Sequence, residues 1–170
     1  DPAKYDKAAA LKFDTARPYL EFAKQSGIGL RGHTLVWHGQ TSIWFFKKDY
    51  QNDWNAPNVD RETMLARMEN YIKNVVELVV SEFPNLEIYA WDVVNEAFLD
   101  NGNLRQPGSN YVTDGTSRWS EIYGDNSFIF KAFEYARKYV PRQCKLYYND
   151  YNEYIDAKRD AIYSLVSSLF

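Results

Sequence analysis

The chain has 170 residues, 45% hydrophobic and 25% charged, with a net charge of −3. That balance suits one globular domain with its own core. It carries no basic footprint for nucleic acid, and no apolar run approaches the length of a membrane span. Neither nucleic acid nor a membrane is therefore an expected partner. The start, Asp1-Pro2-Ala3-Lys4, is not a signal peptide. The single Cys144 permits no internal disulfide and reads as a buried strand residue before Lys145-Leu146-Tyr147. Aromatic residues reach 17% of the chain. Many sit beside polar residues, which fits rings lining a sugar-binding cleft as well as it fits large core residues.

In chain order, Asp14 or Thr15 is placed to cap a helix from Ala16 to about Gln25. Pro18 is tolerated in its first turn, and Ser26-Gly27 ends it. A strand runs from about Gly29 to Trp37. His38 to Asn58 is aromatic and polar and reads as an ordered loop with one short helical turn. Asp60 caps a long amphipathic helix to about Phe83, with Met68, Ile72, Val75, Val76 and Val79 at helical spacing. On that helix Glu62, Glu69, Glu77 and Glu82 read as solvated. Pro84-Asn85 breaks it, and a strand follows from Leu86 to Glu96, apolar enough between Ile88 and Val94 to be buried on both faces. Phe98 to Asp125 reads as a long loop, a length that points to function in a compact domain. A helix is predicted over Ser127–Tyr139, a strand over Lys145–Tyr151 and a last helix over Asp156–Leu169.

Alternating helices and strands predict an α/β fold with parallel strands and crossover helices. Three strands cannot close a barrel, and an open sheet of three exposes two edges, so the chain reads as part of a larger α/β structure. Neither a Gly-x-Gly-x-x-Gly nor a Walker pattern supports a nucleotide fold. In an α/β barrel the chemistry lies at the C-terminal strand ends. Here polar or aromatic residues cluster at all three, at Trp37 to Gln40, at Asn95-Glu96, and at Asn149 to Asn152. Glu96, at the tip of a buried strand beside an amide, is a candidate acid/base. Asp92, within the strand body, reads as a partner in a structural hydrogen bond or ion pair. His33 and His38 are five residues apart and point to opposite strand faces, so no shared metal is expected, nor any other cofactor.

The stretches Arg31-Gly32-His33-Thr34-Leu35-Val36-Trp37-His38, Trp91-Asp92-Val93-Val94-Asn95-Glu96 and Tyr147-Tyr148-Asn149-Asp150-Tyr151-Asn152 resemble glycoside hydrolase family 10, the retaining endo-1,4-β-xylanases. The resemblance covers the whole chain. It implies strands three to five of a (β/α)8 TIM barrel, so that residues 1–170 form part of one catalytic barrel, without its first two and last three strands. It also implies Glu96 as general acid/base. Asn95, His33, Trp37 and Gln40 would surround one sugar, and Tyr151 and Asn152 would lie on the leaving-group side. A cis peptide near His33-Thr34 is implied as well.

The family's nucleophile, a Glu in an Ile-Thr-Glu-Leu-Asp-like motif, has no counterpart here. Asp150 and Glu153 are the other strand-tip carboxylates. Asp150 lies in a motif whose Asp the family does not use as nucleophile, and Glu153 lies past its strand. The nucleophile is thus expected outside these residues, on complementing polypeptide segments, with xylan or xylo-oligosaccharides as substrate and an extracellular site of action. Two alternatives stay open, an incomplete fragment with at most weak sugar binding and a different retaining β-glycanase of the same barrel class. Trp37 reads as cleft wall, whereas His38 is divided between cleft and packing. Tyr111, Trp119 and Tyr123 are divided between sugar stacking and packing at the rim. Trp44 and Trp54 receive no role.

Overall fold

The computed structural model describes residues 13–108 and 115–169. The first helix, α1 (Arg17–Ser26), starts one residue later than expected, and neither Asp14 nor Thr15 caps it. A backbone turn takes that place, with Arg17 N–H donating to the carbonyl of Phe13 at 2.7 Å. The helix closes where Gly27 turns left-handed, φ 65°, and Ile28 N–H returns to the Ala23 carbonyl at 2.9 Å. The run Gly27-Ile28-Gly29-Leu30-Arg31-Gly32 spells the glycine pattern of a dinucleotide-binding turn. Here, however, it leads from a helix into a strand, the reverse of the strand–turn–helix order which that chemistry needs.

Strand β1 (Leu30–Trp37) follows, and then two 3-10 turns, Ile43–Phe46 and Lys48–Tyr50, instead of one. Helix α2 (Arg61–Glu82) is capped by Asp60, whose carboxylate accepts the Thr63 N–H at 2.7 Å. Its buried stripe is Met64, Met68, Ile72, Val75, Val76 and Val79, with Arg67 among them. Strand β2 (Ile88–Asn95) comes next. The stretch read as a long loop then holds a two-residue parallel ladder, β3 (Gln106–Pro107) with β4 (Thr116–Ser117), and a short helix α3 (Arg118–Tyr123). Helix α4 (Ser127–Tyr139), strand β5 (Lys145–Asn149) and helix α5 (Asp156–Ser168) complete the order. Cys144 is buried immediately before β5.

The main sheet is parallel, in the order β1-β2-β5, with Trp37 in register with Asn95 and Asn95 with Asn149. The three strand tips therefore lie in one row. A non-proline cis peptide joins His33 to Thr34. On one face Trp91 enters the core cluster with Val93, Met68, Ile72, Ile129, Ala132 and Ala136, contributed by β2, α2 and α4. Gly32 stands in register with Trp91, and a Cβ there would overlap the indole. The opposite face carries Arg31, His33, Asp92 and Tyr147. Helix α4 packs on α2 and on β2 and β5. Glu69 is not simply solvated, because its carboxylate joins these two helices by accepting from Lys138 Nζ and Tyr139 OH, both at 2.7 Å. An arc of three parallel strands backed by helices is part of a (β/α)8 barrel, open at β1 and β5.

Candidate active site at the strand tips

Glu96 follows the last residue of the central strand. Its N–H donates to the Asn149 carbonyl at 2.9 Å, and its own carbonyl accepts Arg105 Nε at 2.7 Å. Gripped from both sides, the residue is held at φ 54°. Left-handed backbone is uncommon for a side chain of this kind, and such positions gather at functional sites. The other two strand tips behave alike, with Gln40 at φ 56° and Asn152 at φ 58°. Each strand thus delivers a polar candidate residue on a left-handed turn. Asp49 and Tyr50 share that conformation, in the loop after β1.

The Glu96 carboxylate accepts the indole N–H of Trp37 at 3.0 Å. Trp37 is fixed in turn, its carbonyl accepting both Thr41 Oγ1 at 2.9 Å and Trp119 Nε1 at 3.0 Å. Asn95 is buried, and its side-chain oxygen accepts from Asn149 Nδ2 at 2.7 Å. His33 lies against Asp92, Nδ1 to Oδ2 at 3.0 Å, with its ring 6.5 Å from that of Trp37. Asp92 also accepts from Arg31 Nε and Nη2 at 2.5–3.1 Å, so this carboxylate is the structural ion-pair partner expected of it. His38 meets the Trp37 ring edge-on at 5.8 Å. Gln40 is exposed beyond β1.

Tyr151 and Asn152 stand on the other side. Tyr151 is partly exposed and covers Lys158 Nζ, which lies 3.7 Å from its ring centre. Asn152 Nδ2 donates to Asp100 at 3.1 Å. Behind them lies a connection that motif reading did not reveal. Ala97 N–H donates to Tyr148 OH at 2.9 Å, and Tyr148 OH donates to Asp150. Asp150 is paired with Lys158 at 2.8 Å. Burial first, and then the Asp150 charge, push the Tyr148 phenol far above its usual pKa, so it remains a donor. Both Asp150 oxygens are engaged in this way, one by Tyr148 and the other by Lys158, while Glu153 is exposed beyond the strand.

Trp119 and Tyr123 do not stack on sugar. Both are buried, Trp119 packing parallel to Phe128 at 5.9 Å and edge-on to Phe46 at 5.1 Å. Tyr111 lies outside the described residues. Among the described residues no cluster of three or more His, Cys, Asp or Glu side chains could hold a metal ion. No helix of the described residues is long and apolar enough to cross a membrane.

The strand-tip carboxylate and its aromatic, amide-rich surround stand at the C-terminal ends of parallel strands, where (β/α)8 barrels carry their chemistry, and comparison with known proteins gives the family. The sequence profile of glycosyl hydrolase family 10 matches residues 2–170. The chain belongs to that family. It is 48% identical over 167 residues to endo-1,4-β-xylanase Y of Acetivibrio thermocellus, covering 94% of this chain and 15% of that protein. It is 49% identical over 162 residues to endo-1,4-β-xylanase B of Butyrivibrio fibrisolvens, covering 95% and 23% respectively. Among solved structures, the Clostridium thermocellum N-terminal endo-1,4-β-D-xylanase 10B modules, complexed with xylohexaose, superpose with a TM-score of 0.90 at 47% identity. That match covers 96% of this chain and 32% of the other. The intracellular xylanase of Thermoanaerobacterium saccharolyticum gives 0.81 at 36% identity, over 95% of this chain and 46% of the other. The chain thus spans less than half the length of each of these relatives.

Proposed function

We propose that the protein containing this chain is a retaining endo-1,4-β-xylanase in which Glu96 is the general acid/base. The observation that carries the reading is Glu96 itself, left-handed at the tip of the central parallel strand with the Trp37 indole on its carboxylate. Family membership supports it, as do the relatives named as xylanases and the neighbour complexed with xylohexaose.

In this reading a xylan chain crosses the row of strand tips. Trp37, His33, Gln40 and Asn95 face the sugar whose bond is cut, and Tyr151 and Asn152 face the leaving side. Glu96, protonated, gives its proton to the glycosidic oxygen as a second carboxylate attacks the anomeric carbon. The leaving sugar departs and a glycosyl ester remains. Glu96, now a carboxylate, takes a proton from water as that water attacks the same carbon and releases the ester. Proton and configuration are both restored, which requires two carboxyl groups about 5–5.5 Å apart. Asp150 and Glu153 do not serve as the second group, because the first is tied into an ion pair and the second lies past its strand. The nucleophile is supplied by polypeptide outside these residues, which also completes the barrel. A polymeric substrate favours action outside the cell, although one relative is itself named an intracellular xylanase.

The test is to follow xylohexaose hydrolysis by the whole protein with proton NMR. The first product is expected as the β-anomer. The 170-residue chain by itself is expected to release none. An α-anomer first, cleavage of β-1,4-glucan or mannan but not xylan, or turnover by the isolated chain would each refute part of the reading.

A further inference from the structure

Lys158 lies on α5, on the stripe shared with Ala161, Ile162 and Leu165, where an apolar residue belongs. Its side chain is wholly buried. An ammonium offers three donors, and its surroundings use the available directions. Asp150 Oδ1 lies at 2.8 Å, Asp100 Oδ1 at 3.1 Å and the face of Tyr151 at 3.7 Å. Burial alone would lower its pKa, but the hydrogen bonds to Asp150 and Asp100 outweigh that and raise it. Hydrogen bonds from Lys158 and then from Asn152 hold the Asp100 carboxyl below its usual range.

The carboxylates extend the contact in two directions. Asp100 belongs to the segment after β2, and its other oxygen accepts Asn152 Nδ2 at 3.1 Å. Asp150 caps β5. One of its oxygens accepts the Tyr151 N–H at 2.9 Å, and the other accepts Tyr148 OH, which receives Ala97 N–H directly after Glu96. The segment after β2 is also pressed onto α5, for a Cβ on Gly102 would lie 2.5 Å from the Ala157 carbonyl. One buried cation therefore touches Tyr151, fixes the partner of Asn152, and is two hydrogen-bonded side chains from the backbone of the Glu96 turn.

We propose that Lys158 is a positioning residue that sets the leaving-group side of the site, holding the Tyr151 ring and Asn152 in fixed register with Glu96. The inference rests on the xylanase reading above. Removing a buried ammonium leaves two carboxylates facing each other, which opens the contact between the segment after β2 and the β5 tip. A leaving sugar bound by Tyr151 and Asn152 then loses its placement against the Glu96 proton. A substrate with an activated phenolate leaving group needs neither.

The test compares xylohexaose with a dinitrophenyl xylobioside, in the whole protein. Lys158→Met is expected to lower kcat/KM on xylohexaose by about 10- to 100-fold, mostly through KM, and on the aryl glycoside by less than about threefold. Lys158→Arg, which keeps the charge and reaches both carboxylates, is expected to recover most of the loss. Asp100→Asn provides a milder variant should Lys158→Met fail to fold, with the same selective loss expected. Equal losses on both substrates, or none on xylohexaose, would overturn the proposal while the xylanase reading stands. No hydrolysis of either substrate by the unaltered protein would overturn that reading, and this inference with it.

Discussion

At the scale of single residues, the site is made of side chains whose neighbours leave them little choice. Glu96 is held left-handed because Asn149 takes its N–H and Arg105 takes its carbonyl. Nothing in the local sequence announces that turn, since Glu has no preference for positive φ. What the sequence did announce was the position, a carboxylate where an apolar strand turns polar. Lys158 is passed over in the sequence reading, although it stands as a charge in the apolar stripe with Ala161, Ile162 and Leu165; its partners come from 58 and 8 residues away and only the fold brings them together. Gly32 shows close packing at this scale. Trp91 fills the space where a Cβ would stand, so Gly32→Ala is expected to destabilise the protein by about 1–3 kcal/mol through overpacking. Urea unfolding measures this, and a change within about 0.5 kcal/mol would mean that the indole moves aside freely.

At the scale of elements, the long periodic segments matched expectation and the irregular ones did not. Helix α2 carries a buried stripe of six apolar residues at helical spacing, behind an Asp cap, and both signals are local. By contrast, β3, β4 and α3 lie in a segment with no periodicity. A two-residue ladder has no pattern to read, and α3 is fixed by contacts such as Trp119 against Phe46 and Phe128. Trp119 in a loop reads equally as sugar platform or packing until those partners are in place. The cap of α2 is testable through its ionisation. The Thr63 N–H holds the Asp60 carboxyl below its usual range, so the charged cap favours the folded state. That contribution is complete above the unfolded-chain pKa of about 4 and is lost as pH falls through the lower folded value. Asp60→Ala is accordingly expected to lower Tm at pH 6, with the gap to the unaltered protein closing as pH drops below about 3. A gap that stays constant through that range would show that the carboxylate charge contributes nothing to the cap.

At the scale of the whole molecule, three parallel strands present one row of tips, with Trp37, Asn95 and Asn149 in register. Parallel alternation and strand-tip chemistry were readable because helix and strand periods differ and because polar residues interrupt apolar strands at one end only. The open edges of β1 and β5 mark where further strands of a barrel would pair. In the proposed reading, a barrel face assembled from several strands separates the two carboxylates in sequence, so that Glu96 would work with a partner from another strand. The central claim is that Glu96 delivers the proton to the leaving sugar. Glu96→Gln in the whole protein tests it most directly, with kcat/KM as the reading because it reports the bond-breaking step. On xylan or xylohexaose kcat/KM is expected to fall by about 100- to 10,000-fold. On a dinitrophenyl xylobioside, whose leaving group needs no proton, it is expected to stay within about tenfold of the unaltered protein. An equal fall on both substrates would contradict the assignment of Glu96 as the acid.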